Sequence, residues 1–163
     1  METNIDEALL ISARVDENSD IPIISQILRI AVYDEFKAYE TYTKIIEKFG
    51  LVQPFVNIKE AEAIHYTALI KLMEKYAIDV PINNWASKIE IPNTLIECCE
   101  MGVAGEINNI AMYNNLLSYA VENDVKDTLF RLQAASFNNH LPAFRNCVLN
   151  HYNGSNSTNL AQE

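Results

Sequence analysis

The sequence is short of the residues that break helices and of the features that mark several other protein classes. Glycine occurs 4 times and proline 5 times in 163 residues, so turn signals are sparse and long helices with short breaks are expected. Cations are few as well. Against 22 Asp and Glu there are 12 Lys and Arg, a formal net charge of -10, and nucleic acid is excluded as a partner because phosphate contacts need clustered Lys and Arg. No window approaches the roughly 20 apolar residues of a membrane span, and the richest, Ile21 to Val32, is interrupted by Pro22, Gln26 and Arg29. The three cysteines, two adjacent as Cys98-Cys99, form neither a disulfide framework nor a Cys-x-x-Cys pair, and they read as reduced small core residues. The first 20 residues are acidic and lack a basic-then-apolar leader pattern, so the cytoplasm is the expected location.

What is present, 49% hydrophobic residues, suffices for one domain with a sizeable core. The expected division is an N-terminal arm over 1–20, a helical bundle over 21–151 and a disordered, Asn/Ser/Thr-rich tail over 152–163. Pro22 is placed to open a first long helix, and Gly50 to stop it. A second helix from Phe55 to about Ala77 follows a short connection, so it returns antiparallel. Residues 78–93, with Pro81, Trp85 and Pro92, show no clear period and read as a crossover lying over the bundle. Thr94 and Glu97 match a capping box for a third helix to about Val121, and Asp124 is a candidate cap for a fourth, running to about His151. Pro142 falls inside that last helix, where it removes the bond to the Asn138 carbonyl and bends the chain beside His140. The fold class is all-α, a four-helix bundle with short, long and short connections.

Each helix carries a polar anomaly on its apolar seam. The first seam, Ile24, Leu28, Ala31, Glu35, Ala38, Tyr42, Ile45, Phe49, alternates steps of three and four with one carboxylate in the row. The second, Phe55, Ile58, Glu62, His65, Leu69, holds a Glu-x-x-His step, and the third, Cys99, Gly102, Glu106, Asn109, Tyr113, holds a carboxylate and an amide. His140 belongs to both candidate seams of the fourth: Leu129, Leu132, Ser136, Ala143, Cys147 on one, Phe130, Gln133, Phe137, Phe144, Cys147 on the other. A buried unpaired carboxylate costs several kcal/mol, so it protonates or finds a partner or a metal. Any one of these residues alone reads as a satisfied core group; Glu35, Glu62, His65, Glu106 and His140 together, at similar depth on four helices, point to metal. Iron and manganese suit such carboxylate and imidazole sets. Tyr42 and Tyr113 read first as core filling, Trp85 as a cover over the bundle, and Asp34, Glu40 and His151 as solvent-facing.

The ordered set Glu35-x-x-Ala38-x-x-x-Tyr42, Glu62-x-x-His65, Glu106 ahead of Tyr113, and His140-Leu141-Pro142-Ala143-Phe144 resembles the ferritin-like superfamily. It is most similar to its rubrerythrin-like branch, and within that to an uncharacterised prokaryotic domain-of-unknown-function family. The likeness spans roughly residues 22 to 150. It implies a ferritin-like four-helix bundle with a carboxylate-bridged centre of two iron ions per chain, with manganese or zinc as substitutes. Glu62 would bridge, Glu35 and His65 would complete one ion, and Glu106 and His140 would serve the other. Two positions depart from the pattern: Phe137 stands where a second Glu-x-x-His would place a glutamate, and Asn109 where a further glutamate can occur. The Glu106 side is therefore expected to be poorer in anionic ligands. The implied function is a di-iron oxidoreductase, a ferroxidase or peroxidase-like enzyme reacting with dioxygen or peroxide. It would use a separate electron donor, have no membrane partner and pair as a homodimer. The alternative is a non-catalytic bundle that binds one metal or none and acts through protein contacts.

Overall fold

The sparse prolines and Gly50 fall at or near the breaks between helices. The computed structural model describes residues 4–159, and among these every regular element is helical: α1 (Asn4–Ser12), α2 (Ile23–Phe49), α3 (Phe55–Lys75), α4 (Leu95–Tyr119), α5 (Asn123–Ala135) and α6 (Leu141–Asn159), with a 3-10 turn at Trp85–Ser87 and a π-turn at Ser136–His140. Pro22 precedes α2, and Gly50, at φ 89°, ends it in a conformation that a Cβ would strain. The capping box forms. Thr94 Oγ1 accepts from the Glu97 amide, and the Glu97 carboxylate accepts from the Thr94 amide at 3.1 Å. α5 starts one residue before the expected cap, and the Asp124 carboxylate instead accepts hydrogen bonds from Lys75, Tyr76 and the Val125 amide.

Contacts between helices fix their directions. Tyr42 meets Phe55 at a ring separation of 6.0 Å while Glu35 lies beside His65, so α2 and α3 are antiparallel. Tyr42 reaches Glu106 and Glu35 reaches Tyr113, so α2 is antiparallel to α4 as well. Along the last pair, Gln133 bonds Asn114, Ser136 bonds Asn109 and Cys99 meets Cys147, which sets α4 against α5 and α6 in the same antiparallel sense. The segment between α3 and α4 is fastened to α2. Trp85 donates to the Tyr33 carbonyl at 2.9 Å and packs on the Tyr33 ring, while Lys44 and Lys48 donate to the carbonyls of Ile89 and Pro92.

The residues read as an arm are likewise tied down: Leu10 of α1 is buried, Asp6 pairs with Arg29, and the buried Gln26 bonds the Asp16 and Ile21 carbonyls. At the other end, α6 continues helically to Asn159, through the stretch read as a disordered tail, and 160–163 lie outside the described residues. The three cysteines divide differently from the expectation of reduced core thiols. Cys99 and Cys147 face each other across α4 and α6, Cα to Cα 5.8 Å, and form a disulfide, whereas Cys98 is a buried thiol. Single-helix periodicity places each on an apolar face but says nothing of which residue it meets. Among the described residues no helix is long and apolar enough to cross a membrane.

The apolar interior falls into two clusters separated by a polar layer. On α2 one cluster ends at Phe36 and the other starts at Tyr42; the corresponding limits are Ile58 and Leu69 on α3, Cys99 and Met112 on α4, and Leu132 and Phe144 across α5 and α6. Glu35, Glu62, His65, Glu106, Asn109, Ser136 and His140 occupy or edge the gaps, all buried. Pro142 acts as expected, through a specific device. It cannot donate to Asn138, and the chain widens so that the Leu141 amide bonds the Ser136 carbonyl five residues back. The extra residue joins the two candidate seams: Leu129, Leu132, Ser136 and His140 are buried up to the turn, Phe144 and Cys147 after it, and Phe130 and Phe137 are left 62% and 60% exposed.

Gly102 and Gly105 on α4 make a test of this packing. A Cβ on Gly102 would lie 2.5 Å from the buried Phe144 ring, whereas one on Gly105 meets nothing. Gly105→Ala is expected to stabilise by up to about 1 kcal/mol through helix propensity. Gly102→Ala is expected to lower stability despite the same propensity gain, because overpacking costs about 1–3 kcal/mol. Thermal melts of the two variants check the opposite signs.

Candidate metal centre

Helix periodicity delivers five ligand-type side chains to one layer, and the structure brings all five together as two overlapping groups. Glu35, Glu62 and His65 form one, and Glu62, Glu106 and His140 the other, the ligand atoms of each group lying within 4.8 Å of one another. Glu62 is common to both. Its Oε2 is 2.9 Å from His65 Nδ1 and its Oε1 is 3.3 Å from His140 Nδ1. Glu35 Oε2 lies 3.5 Å from His65 Nδ1, and Glu106 Oε1 lies 3.5 Å from His140 Nδ1. The two imidazole rings are nearly parallel, 5.4 Å apart.

Glu35 Oε2, Glu106 Oε2 and His140 Nδ1 are buried without a hydrogen bond. Native interiors rarely leave such atoms unpaired, and a cation in each of the two groups would satisfy all three. Their partner atoms are held. Tyr42 donates its hydroxyl to Glu106 Oε1 at 3.1 Å and Tyr113 donates to Glu35 Oε1. Asn109 donates to Asp34 at 2.9 Å and, more weakly, to Glu35 at 3.5 Å, and accepts from Ser136 at 2.8 Å.

Charge is distributed accordingly. Burial and then the charge of Glu62 push the Glu35 carboxyl up to about 7, with His65 drawing it partly back. Burial opposes ionisation of Glu62 too, but the His140 and His65 imidazoles prevail and hold it below the usual carboxylate range. For His65, burial disfavours the cation, yet Glu35 and Glu62 outweigh it and raise the imidazole to about 10; Glu106 and Glu62 likewise raise His140 to about 9. Burial, reinforced by Glu106 and Glu35 respectively, keeps Tyr42 and Tyr113 protonated.

A cavity of about 440 Å³ between α2, α4 and the connecting segment reaches this layer; Asp34, Tyr42, Glu62, Glu106 and Asn109 line it, with Trp85 at its side.

No protein-family model matches the chain, and no curated protein matches it. Among solved structures, it is similar to the crystal structure of hypothetical protein MJ0754 from Methanococcus jannaschii DSM 2661, with a TM-score of 0.72 and 22% identity over 84% of this chain and 86% of that one. The two chains share a fold.

Periodicity named all five ligand-type residues but priced their neighbours wrongly. Tyr42 and Tyr113 do fill the core, and their hydroxyls also bind carboxylates. Asp34, read as solvent-facing, is half-buried against Asn109, and burial together with the Glu35 charge lifts it to about 6. The signal was available in part: Asp34 precedes Glu35 directly, and Asn109 was already on the third seam. The expected imbalance between the two sides does not appear in the donor count, since each group has two carboxylates and one imidazole. Phe137 is irrelevant to it, because the π-turn puts Ser136 on the interior instead.

The raised imidazoles set a pH dependence for the metal-free protein. Both bind protons more tightly folded than unfolded, so their stabilisation is complete below 6.5 and is lost as pH rises through about 9 to 10. Thermal melts in chelator are expected to fall across that range. Divalent metal, which requires neutral imidazoles, is expected to remove the fall and to bind more tightly as pH rises.

Proposed function

We propose that the chain is a ferritin-like, rubrerythrin-like bundle that holds two divalent metal ions, iron or in its place manganese, and acts as an oxidoreductase toward dioxygen or peroxide. The observation that carries this reading is the pair of donor groups sharing Glu62, with three buried donor atoms that have no hydrogen bond. The topology supports it: with α2 antiparallel to both α3 and α4, the latter two run in the same sense, and residues 76–94 form the long crossover between them.

The donor set fits the ions chemically. Two carboxylates and an imidazole per position is a hard-to-borderline set suited to iron or manganese. Three carboxylates leave one positive charge on two divalent ions, and an ionised Asp34 beside Asn109 balances it. Bound there, a pair of iron ions would supply the two electrons that dioxygen or peroxide takes up. The chain's own residues do the rest. Glu62 presents one oxygen to each position, Tyr113 and Tyr42 fix the orientation of Glu35 and Glu106, and the cavity gives a small oxidant a path to Glu62 and Glu106. Asp34, ionised at the cavity wall, is placed to take up a proton arriving beside Glu35. Electrons would come from a separate donor protein.

Aerobic Fe(II) titration, followed by near-ultraviolet absorbance and metal analysis, tests the reading. Fast oxidation at about two irons per chain is expected. Glu62→Ala is expected to abolish tight binding of both ions, and Glu106→Ala to leave about one, because only Glu62 serves both positions. Binding without oxidation would favour a non-catalytic metal-binding bundle, and no binding would end the proposal.

A further inference from the structure

A second set of donors lies two helical turns from the buried layer. Cys99 precedes Glu106 by seven residues on α4, and Cys147 follows His140 by seven, which places the sulfur pair about 10 Å along both helices at 1.5 Å per residue. Cys147 and His151 are four apart on α6 and so share one face of it, where Cys99 meets them from α4. Their ligand atoms all come within 4.8 Å of one another. Cys99 is fully buried and Cys147 is 9% exposed, while a separate cavity of about 360 Å³, bordered by Gln53, Pro54, Asn146 and Asn150, opens onto Cys147 and His151.

We propose that Cys99, Cys147 and His151 form a thiol-gated metal site, separate from the carboxylate layer, that takes a soft or borderline cation such as Zn²⁺ or Cu⁺ when the Cys99–Cys147 disulfide is reduced. Two thiolates and a neutral imidazole are a common soft donor set, and their two negative charges neutralise Zn²⁺ outright. The cavity supplies room for a water as the remaining ligand. In the disulfide form the two sulfurs bond each other and carry no negative charge, so the set cannot serve. A small dithiol opens it by exchange: its thiolate attacks the Cys147 sulfur on the cavity side, Cys99 leaves as thiolate, and the second thiol of the reductant then displaces Cys147 while closing its own disulfide. Two electrons and two protons thus pass from reductant to protein, and cation binding releases both protons. The hard carboxylate layer and the soft sulfur site would then sort cations by chemistry within one chain.

Cobalt(II) alone is a suitable probe, because only thiolate ligation gives an intense near-ultraviolet sulfur-to-cobalt charge-transfer band; the carboxylate and imidazole layer cannot. The full chain is reduced with a phosphine, desalted anaerobically and titrated beside the untreated disulfide form. The band is expected in the reduced protein only, to persist in Cys98→Ser and to vanish in Cys147→Ser. His151→Ala, which keeps both thiols and the disulfide, is expected to weaken cobalt binding by about tenfold or more, since losing a direct ligand costs at least as much as losing an outer hydrogen-bond partner. No band on reduction would overturn the proposal, and so would a band of unchanged affinity in His151→Ala.

Discussion

Desolvated charge is the constraint on which this structure turns, and Glu62 is where it is resolved. Three carboxylates and two imidazoles are closed into one layer between apolar clusters, where each uncompensated charge costs several kcal/mol. Glu62 offers its two oxygens to the two imidazoles, so it is the group most easily kept ionised and the one partner that both histidines share. Without metal, the layer is balanced by protons on His65, His140 and, near neutrality, Glu35. Under the proposed function, cations would take the place of those protons on the same oxygens and nitrogens. The proposed metal exchange is in that sense a substitution of one positive charge for another.

The surrounding chain exists largely to hold this layer in register. Gly102 lets the Phe144 ring press on the α4 backbone, and Phe144 packs in turn on Tyr42 and Phe55, the first of which orients Glu106. Pro142 forces the wide turn that ends at His140. The turn keeps Ser136 and His140 inward together, so a hydroxyl reaches Asn109 while an imidazole reaches Glu62 and Glu106. The apolar packing and the polar layer are thus one design problem, since the ring that seals one cluster also fixes a hydroxyl at the layer's edge.

The limits of the sequence follow from what periodicity can encode. A step of three and four residues reports which side chains share a helix face, and that was enough for the all-α class, the bounds of α2 and the five residues Glu35, Glu62, His65, Glu106 and His140. It does not report what faces them. The partners of Tyr42, Tyr113 and Asn109, the pairing of Cys99 with Cys147, and the half-burial of Asp34 all depend on contacts between helices that meet only in the fold. Two seams competed on the last helix because a single ideal period was assumed; the π-turn inserts one residue, and both seams turn out to be used in succession. The docking of α1 was missed for a related reason. α1 docks through Leu10 and the Asp6–Arg29 pair, and the segment after it is held by Gln26 on the Asp16 and Ile21 carbonyls; neither polar link leaves a periodic trace.

Equal donor sets do not make equal positions. The cavity is lined by Glu62 and Glu106 and does not include Glu35, His65 or His140 among its walls, while Tyr113 and Asn109 both engage Glu35. Under the proposed function a small reactant would arrive on the Glu106 side and meet a closed wall on the other. From the sequence, the Glu106 side is expected to be the weaker because Phe137 and Asn109 are not glutamates. In the fold that ranking loses its basis: Phe137 points away, Asn109 braces the opposite side, and what distinguishes the two positions is access. Each carboxylate has one oxygen held by a tyrosine hydroxyl and one left without a hydrogen bond, so the difference between them is that Glu106 borders the cavity and Glu35 does not.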